Sequence, residues 1–322
     1  MRCLKAGVVG LGSISQRFIL PNLDQWEDVQ IEAICDVEEY NIKINSARYG
    51  IKNCFFNVED MLESVKPDVV FIAVPPQYTF DVARKVLEEG IPVYIEKPPG
   101  ITYKESLALK NMALNSNTPC MVAFNRRFMP MVGEIKKLLQ DLPPIWQVSM
   151  EFNKYEPLDF IKRFNTTPLT ATVIHGLDLL RCMAGDIEVV QSLQRSDDSH
   201  FPNGYLGLLK FKNGAYGTLN CHWLAGGRVE RYSFHGHGYS IYLSPPDECL
   251  FYRDDSCRKI EMPGETLGGI GAGELHGFSM GFAGEIRHFL DAVLLNKPIE
   301  SDIVSAVETM RFVDWLSNNN RI

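Results

Sequence analysis

The chain has 322 residues, 45% of them hydrophobic and 22% charged, enough for two soluble globular domains of ordinary size. Its 32 basic and 40 acidic side chains leave a net charge of −8, which argues against a nucleic-acid binder, a class that carries basic stripes. No apolar run approaches the roughly 18–20 residues of a membrane-spanning helix, and the chain runs straight into an apolar strand with no leader pattern, so a cytoplasmic protein that binds neither nucleic acid nor membrane is expected.

The first element is the apolar run Ala6–Val9, which reads as a short buried strand. Gly10-Leu11-Gly12 then makes a tight turn, and a helical pattern starts near Ser13. A strand, a glycine turn and a helix N-terminus form a seat for a pyrophosphate: backbone N–H groups and the positive end of the helix dipole point at the anion, and glycine lets the backbone approach it. Ser15 stands at the third position of the G-x-G-x-x-G/A pattern, small enough for helix and strand to pack. The next apolar run, Ile31–Cys35, ends at Asp36. A carboxylate there suits the 2′-hydroxyl of an adenosine ribose and repels a 2′-phosphate, which makes NAD the expected cofactor and NADP the alternative. Its other reading is the N-cap of the following helix.

Further strand patterns lie at Val29–Cys35, Cys54–Phe56, Asp68–Val74, Val93–Ile95 and Met121–Phe124, separated by helical patterns near Ser13–Leu23, Val37–Tyr49, Val58–Val65, Phe80–Glu89 and Tyr103–Asn115. Thr102-Tyr-Lys-Glu105 reads as a capping box and Gly90 as a left-handed helix stop. Continuous apolar strands alternating with helices predict an α/β fold, a parallel, doubly wound Rossmann sheet over residues 1–122. After that the rhythm changes. A helix over Met131–Leu142, a strand over Ile145–Phe152 and a helix over Ile174–Ala184 lead into strands at Gly204–Lys212, Ala215–Leu224, Val229–His235, Ser240–Leu243 and Cys249–Arg253, with Asn213-Gly214 as a hairpin signal. Helices over Gly284–Leu295 and Asp302–Ser317 close the chain. Residues 123–322 are thus expected to form an α+β domain on a large, mainly antiparallel open sheet, one face under the last helices and the other against a second subunit of a homodimer or homotetramer. The glycine-rich Pro263–Gly284 stretch reads as a mobile loop. The eight cysteines are scattered without a Cys-x-x-Cys pair, and those in apolar runs (Cys35, Cys120, Cys221) read as reduced core thiols.

Three landmarks fall at strand carboxyl ends, where ligands bind in such sheets: Ala73-Val-Pro-Pro-Gln-Tyr78, Glu96-Lys97-Pro98 and Asn125-Arg-Arg-Phe-Met-Pro130. His175-Gly-Leu-Asp178 follows at the start of a helix. With these residues the chain resembles the glucose–fructose oxidoreductase / inositol dehydrogenase / rhizopine-catabolism family, Gfo/Idh/MocA, over nearly its whole length. The resemblance implies hydride transfer between NAD or NADP and a hydroxyl or ketone of a sugar, polyol or sugar nucleotide. It implies cofactor contacts from Gly10, Gly12, Ser13, Ile14, Asp36, Val74, Pro75, Thr79, Glu96, Lys97 and Arg127, although Thr79 stands where many members have histidine. It implies catalytic roles for Lys97 and His175. Many polyol dehydrogenases of the family carry an aspartate four residues before that histidine; here the position is Ala171, which leaves a sugar-nucleotide or modified-sugar ketoreductase as the alternative.

Read chemically, Lys97 at a strand tip can polarise a substrate oxygen, and Pro98 biases its backbone towards extended geometry. His175 can exchange the hydroxyl proton, with Asp178, three residues on, expected to orient its ring. Lys97 and His175 fall in different domains, so a shared site requires the domains to pack together. His235-Gly-His237 has the spacing of one strand face, but no acid or cysteine completes a metal set, and no metal is expected. His276 reads as a loop residue. A dinucleotide-binding sensor without turnover is the reading from a different class, and the presence of both Lys97 and His175 argues against it.

Overall fold

The computed structural model describes residues 3–155, 166–196, 201–246, 248–262, 266–267, 270–271 and 275–318. It forms two compact units. The first comprises Met1–Ala123, Glu265–Phe278 and Phe282–Val307; the second comprises Phe124–Gly264, Ser279–Gly281 and Glu308–Ile322.

In the first unit six parallel strands run β1 (Leu4–Val9), β2 (Val29–Cys35), β3 (Asn53–Phe55), β4 (Val69–Ile72), β5 (Val93–Glu96) and β6 (Cys120–Ala123), in the spatial order 3-2-1-4-5-6 of a dinucleotide fold. Strands β4, β5 and β6 are buried along their whole length, as expected for a sheet covered on both faces. A π-helical turn, Ser15–Ile19, leads into α1 (Leu20–Leu23). The crossovers are α2 (Glu39–Tyr49), α3 (Val58–Val65), α4 (Pro76–Glu88) and α5 (Tyr103–Ser116). Helix α5 starts at the Thr102–Glu105 capping box: Thr102 Oγ1 accepts from Glu105 N and Glu105 Oε2 accepts from Thr102 N, both at 3.1 Å. Gly90 has φ +68°, the left-handed stop that follows α4.

The second unit is built on eight strands: β7 (Ile145–Tyr155), β8 (Ile187–Arg195), β9 (Gly204–Phe211), β10 (Tyr216–His222), β11 (Leu224–Gly236), β12 (Tyr239–Ser244), β13 (Glu248–Arg253) and β14 (Ser256–Lys259). Their order is 14-13-12-11-7-10-9-8, with only the β7–β10 pair parallel. Asn213 and Gly214 (φ +91°) make the β9–β10 hairpin. Helices α6 (Pro130–Leu139) and α7 (Ile174–Ala184) belong to this unit, and Gly176 of α7 lies against Met150 and Phe152 of β7 and Tyr232 of β11. A Cβ at Gly176 would collide with Met150 and crowd Tyr232 and Phe152.

The division differs from the expected 1–122 and 123–322. Helix α8 (Phe282–Leu295) was expected on the second sheet and packs instead on the first. Its Phe289 meets Phe71 and Tyr94 edge-on or tilted, its Glu285 accepts a 2.7 Å hydrogen bond from Tyr94, and its Arg287 grips Asp28 through two nitrogens. Of α9 (Ile303–Asn318), the part from Glu308 onward packs on the second sheet, where Leu316 abuts Gly207 and its carbonyl accepts from Ser192 Oγ at 2.9 Å. Sequence periodicity marks a helix but not which sheet it covers. Parts of the glycine-rich stretch, residues 263–265, 268–269 and 272–274, lie outside the described residues; at its far end His276 exchanges two backbone hydrogen bonds with the Asn22 side chain. Among the described residues no helix is long and apolar enough to cross a membrane.

Candidate active site

In the first unit the glycine turn follows β1 at the centre of the sheet, beside β4, where the strand order reverses. Gly10 has φ +86°, and a Cβ there would run into the Ala73 carbonyl and come within 3.0 Å of Val74 Cγ1. Only glycine fits, and Val74 lines the turn from the neighbouring strand end. Ser15 is fully buried and donates its hydroxyl to the Gly10 carbonyl, tying the helix start to the turn. Around Gly12 the space is open: a Cβ would meet nothing within 4 Å, and Gly12 and Ser13 are both exposed, with Ile14 half-buried. A turn that closes inward at Gly10 and opens outward at Gly12 fits a dinucleotide pyrophosphate.

Asp36 is held at this turn. Its Oδ2 accepts from Leu11 N at 2.6 Å and from Asn41 Nδ2 at 3.3 Å, and its Oδ1 accepts from Glu38 N at 2.8 Å. It is not the N-cap of α2; that position is Glu38. Pro75 caps α4 with Pro76 at the first helical position. Thr79, in the first turns of α4, is only 2% exposed.

The Glu96-Lys97-Pro98 motif ends β5, and the Lys97–Pro98 peptide is cis. Glu96 is buried. Burial pushes its carboxyl up to about 7, against the opposing pull of the Lys97 charge and backbone N–H.

In the second unit His175 is buried near the start of α7. Asp178, on the same helix, is fully buried and has a different partner from the one expected. Arg127 donates to it twice, from Nε at 2.6 Å and Nη2 at 2.5 Å, and Thr309 Oγ1 donates at 2.7 Å. The bidentate guanidinium outcompetes an i,i+3 imidazole for the carboxylate. Asp178 therefore anchors Arg127. The π-helical turn Leu169–Val173, which contains Ala171, precedes α7.

Sequence reasoning missed a second buried network. Arg126 donates to both carboxylate oxygens of Glu230 at 3.1 and 2.9 Å, while Arg228 and Tyr232 donate to the same group, each at 2.9 Å. These partners hold the Glu230 carboxyl below the usual range despite its burial. One signal was present: Glu230 falls in the inward phase of β11 with Tyr232 and Phe234. His235 is bonded through both ring nitrogens to Ser233 and Ser240, and His237 lies beyond the end of β11, in the turn, so the two do not share a strand face as expected. Among the described residues no group of three or more His, Cys, Asp or Glu is placed to hold a metal.

A family model described as "Oxidoreductase family, NAD-binding Rossmann fold" matches residues 4–124, and one described as "GFO/IDH/MocA C-terminal domain" matches residues 137–242. The chain belongs to the Gfo/Idh/MocA oxidoreductase family. Among its relatives, the rhizopine catabolism protein MocA of Rhizobium meliloti is 29% identical over 58% of each chain. Inositol 2-dehydrogenase of Corynebacterium glutamicum is 25% identical over 57% of this chain and 55% of its own length. The chain thus matches little more than half the length of these two Gfo/Idh/MocA relatives. A levoglucosan dehydrogenase solved with NADH and levoglucosan superposes with a TM-score of 0.88 at 19% identity, covering 99% of this chain and 97% of its own, a likeness of fold.

Proposed function

We propose that this Gfo/Idh/MocA protein is an NAD-dependent oxidoreductase that moves a hydride between the nicotinamide and a secondary alcohol or ketone of a sugar, polyol or sugar derivative. The observation that carries the reading is the switch point of the first sheet. The open side of Gly12, the fixed carboxylate of Asp36 and the strand ends bearing Val74, Pro75 and Lys97 all lie at its carboxyl edge. The names of the relatives, a rhizopine catabolism protein and an inositol dehydrogenase, support a polyhydroxylated substrate.

Bound NAD(H) supplies the hydride acceptor or donor. The chain supplies the rest. Gly10, Gly12, Ser13 and Ile14 hold the pyrophosphate, and Asp36 accepts from the ribose. Lys97 donates a hydrogen bond to the reacting oxygen and so polarises it. His175 takes the hydroxyl proton in oxidation and returns it in reduction. Ala171 stands where many polyol dehydrogenases of the family carry an aspartate, which keeps a sugar-nucleotide or modified-sugar ketoreductase as the second reading. The scattered cysteines favour a cytoplasmic protein.

The test is cofactor reduction and oxidation across a panel of sugars, inositols and sugar nucleotides. Lys97→Ala and His175→Ala should each lower kcat by about 10²–10⁴ on the true substrate while NAD affinity changes little. Near-normal turnover of His175→Ala would remove it from the mechanism, and no turnover with any member would favour a dinucleotide-binding sensor.

A further inference from the structure

The inner face of the second sheet ends in a polar row. His222 of β10 pairs with Gly204 of β9 and with Asn153 of β7, which sets Trp223, Asn203 and Lys154 in the next row along. Trp223 N donates to the Asn203 carbonyl at 2.8 Å, continuing the ladder. Val229 of β11 pairs with Asn153, so Arg228 is the next residue in the direction of this row. The preceding row is apolar core: Phe152 pairs with Cys221, and Cys221 with Tyr205, all buried. Phe152 touches Gly176, the neighbour of His175. The polar row therefore lies one step beyond the core, on the face that the helix of His175 covers.

Its chemistry is rich in donors. Lys154 Nζ sits over the Trp223 ring, 5.3 Å from the centroid. Trp223 and Asn203 are each 1% exposed. The indole N–H of Trp223 and both amide atoms of Asn203 have no hydrogen-bond partner among the described residues. Buried polar groups without partners are rare and costly, and such a pair points to a ligand that completes them. Arg228 Nη2 bonds Glu230 Oε2, a carboxylate also held by Arg126 and Tyr232. The row thus offers two cationic side chains, an indole donor and an amide, beside a carboxylate already bonded by two guanidinium groups.

We infer that the substrate carries an anionic substituent, a carboxylate or a phosphate, which docks on Lys154, Arg228, Trp223 and Asn203. The indole and amide N–H groups donate to its oxygens, and Lys154 and Arg228 balance its charge. This rests on the oxidoreductase reading and narrows its substrate class from sugars in general to acidic ones.

The test is calorimetric titration of the NAD-loaded protein with matched probes: a neutral hexose, the corresponding uronic and aldonic acids, and the hexose phosphate. At least one anionic probe should bind tenfold or more tightly than the neutral hexose, and the uronate, aldonate and phosphate arms identify the anion. Lys154→Met and Trp223→Phe, which keeps an aromatic ring and removes the N–H, should each cut that preference about tenfold. Where Trp223→Phe does not fold, as read by its thermal midpoint, Lys154→Met decides alone. Equal binding of acid and neutral sugar, no binding of any anionic probe, or an unchanged preference in Lys154→Met would overturn the inference. Turnover of neutral sugars would then leave the oxidoreductase reading standing. Lys154-dependent binding of acids without hydride transfer to any probe would do the reverse.

Discussion

Glu96 is a largely buried carboxylic acid, and its position makes stability depend on pH. The unfolded carboxyl titrates near 4.5, while burial raises the folded value to about 7. The folded state then holds the proton more tightly, so the stability from this group is full below pH 4.5 and is lost as the pH rises through 7. The thermal midpoint of the native protein should fall across that window relative to Glu96→Gln, by a difference on the order of 1–3 kcal/mol. Parallel melting curves of the two proteins from pH 4 to pH 8 check this; superimposable profiles would contradict it. Asp36 is fixed by Leu11 N, Glu38 N and the Asn41 side chain. NAD(H) should bind more tightly than NADP(H), and Asp36→Asn, which keeps an acceptor oxygen but removes the charge, should narrow the gap; competitive titration with both cofactors measures it. The place of Asp36 was legible because a strand end and a glycine turn fix it in sequence. The raised Glu96 was not, since burial depends on how the sheet is covered.

Among elements, the pairing of Arg127 with Asp178 joins the turn Asn125–Phe128 to α7, with Thr309 of α9 as a third member. Removing one partner of such a buried pair leaves the other charged and dry. Asp178→Asn should therefore cost about 3–5 kcal/mol, seen as a lower urea midpoint, and a shift below 1 kcal/mol would mean that water relieves the arginine. The capping box at Thr102 and the Asn213-Gly214 hairpin were legible because their partners lie within three or four residues. Arg127 and Asp178 lie 51 residues apart, and His175-x-x-Asp178 suggested a local pair that a distant guanidinium displaced. The same limit hid Arg126–Glu230, 104 residues apart, although the inward phase of Glu230 on β11 was readable.

At the scale of the whole molecule, the outer face of the second sheet carries exposed leucines in register. Leu193 pairs with Leu206, and Leu206 and Leu208 share one face of β9, at 45%, 48% and 54% exposure. Tyr216 and Tyr242 extend the same kind of surface. Exposed leucines paired across neighbouring strands in this way mark an association surface. We propose that a second copy covers it, giving a homodimer or homotetramer. Light scattering at micromolar concentration should report an oligomer, and Leu206→Glu with Leu208→Glu should convert it to monomer; a monomeric native protein would count against the assignment.

The first unit is not contiguous in the chain, and this bears on how the protein is made. Its outermost strand, β6, is closed by a late segment: Val122 N donates to the Ser301 carbonyl at 2.9 Å, Ser301 Oγ donates back to the Val122 carbonyl at 2.5 Å, and Met121 bridges Asp302. On a ribosome adding about 5–20 residues per second, roughly 10–40 s separate β6 from the segment that seals it. Through that interval the nascent chain carries an open sheet edge, and Phe71 and Tyr94 lack the cover of Phe289. A gene cut after residue 123 would make that interval permanent. Its product should be a sticky, chaperone-bound fragment, and the same fragment supplied in trans with residues 265–307 should regain solubility.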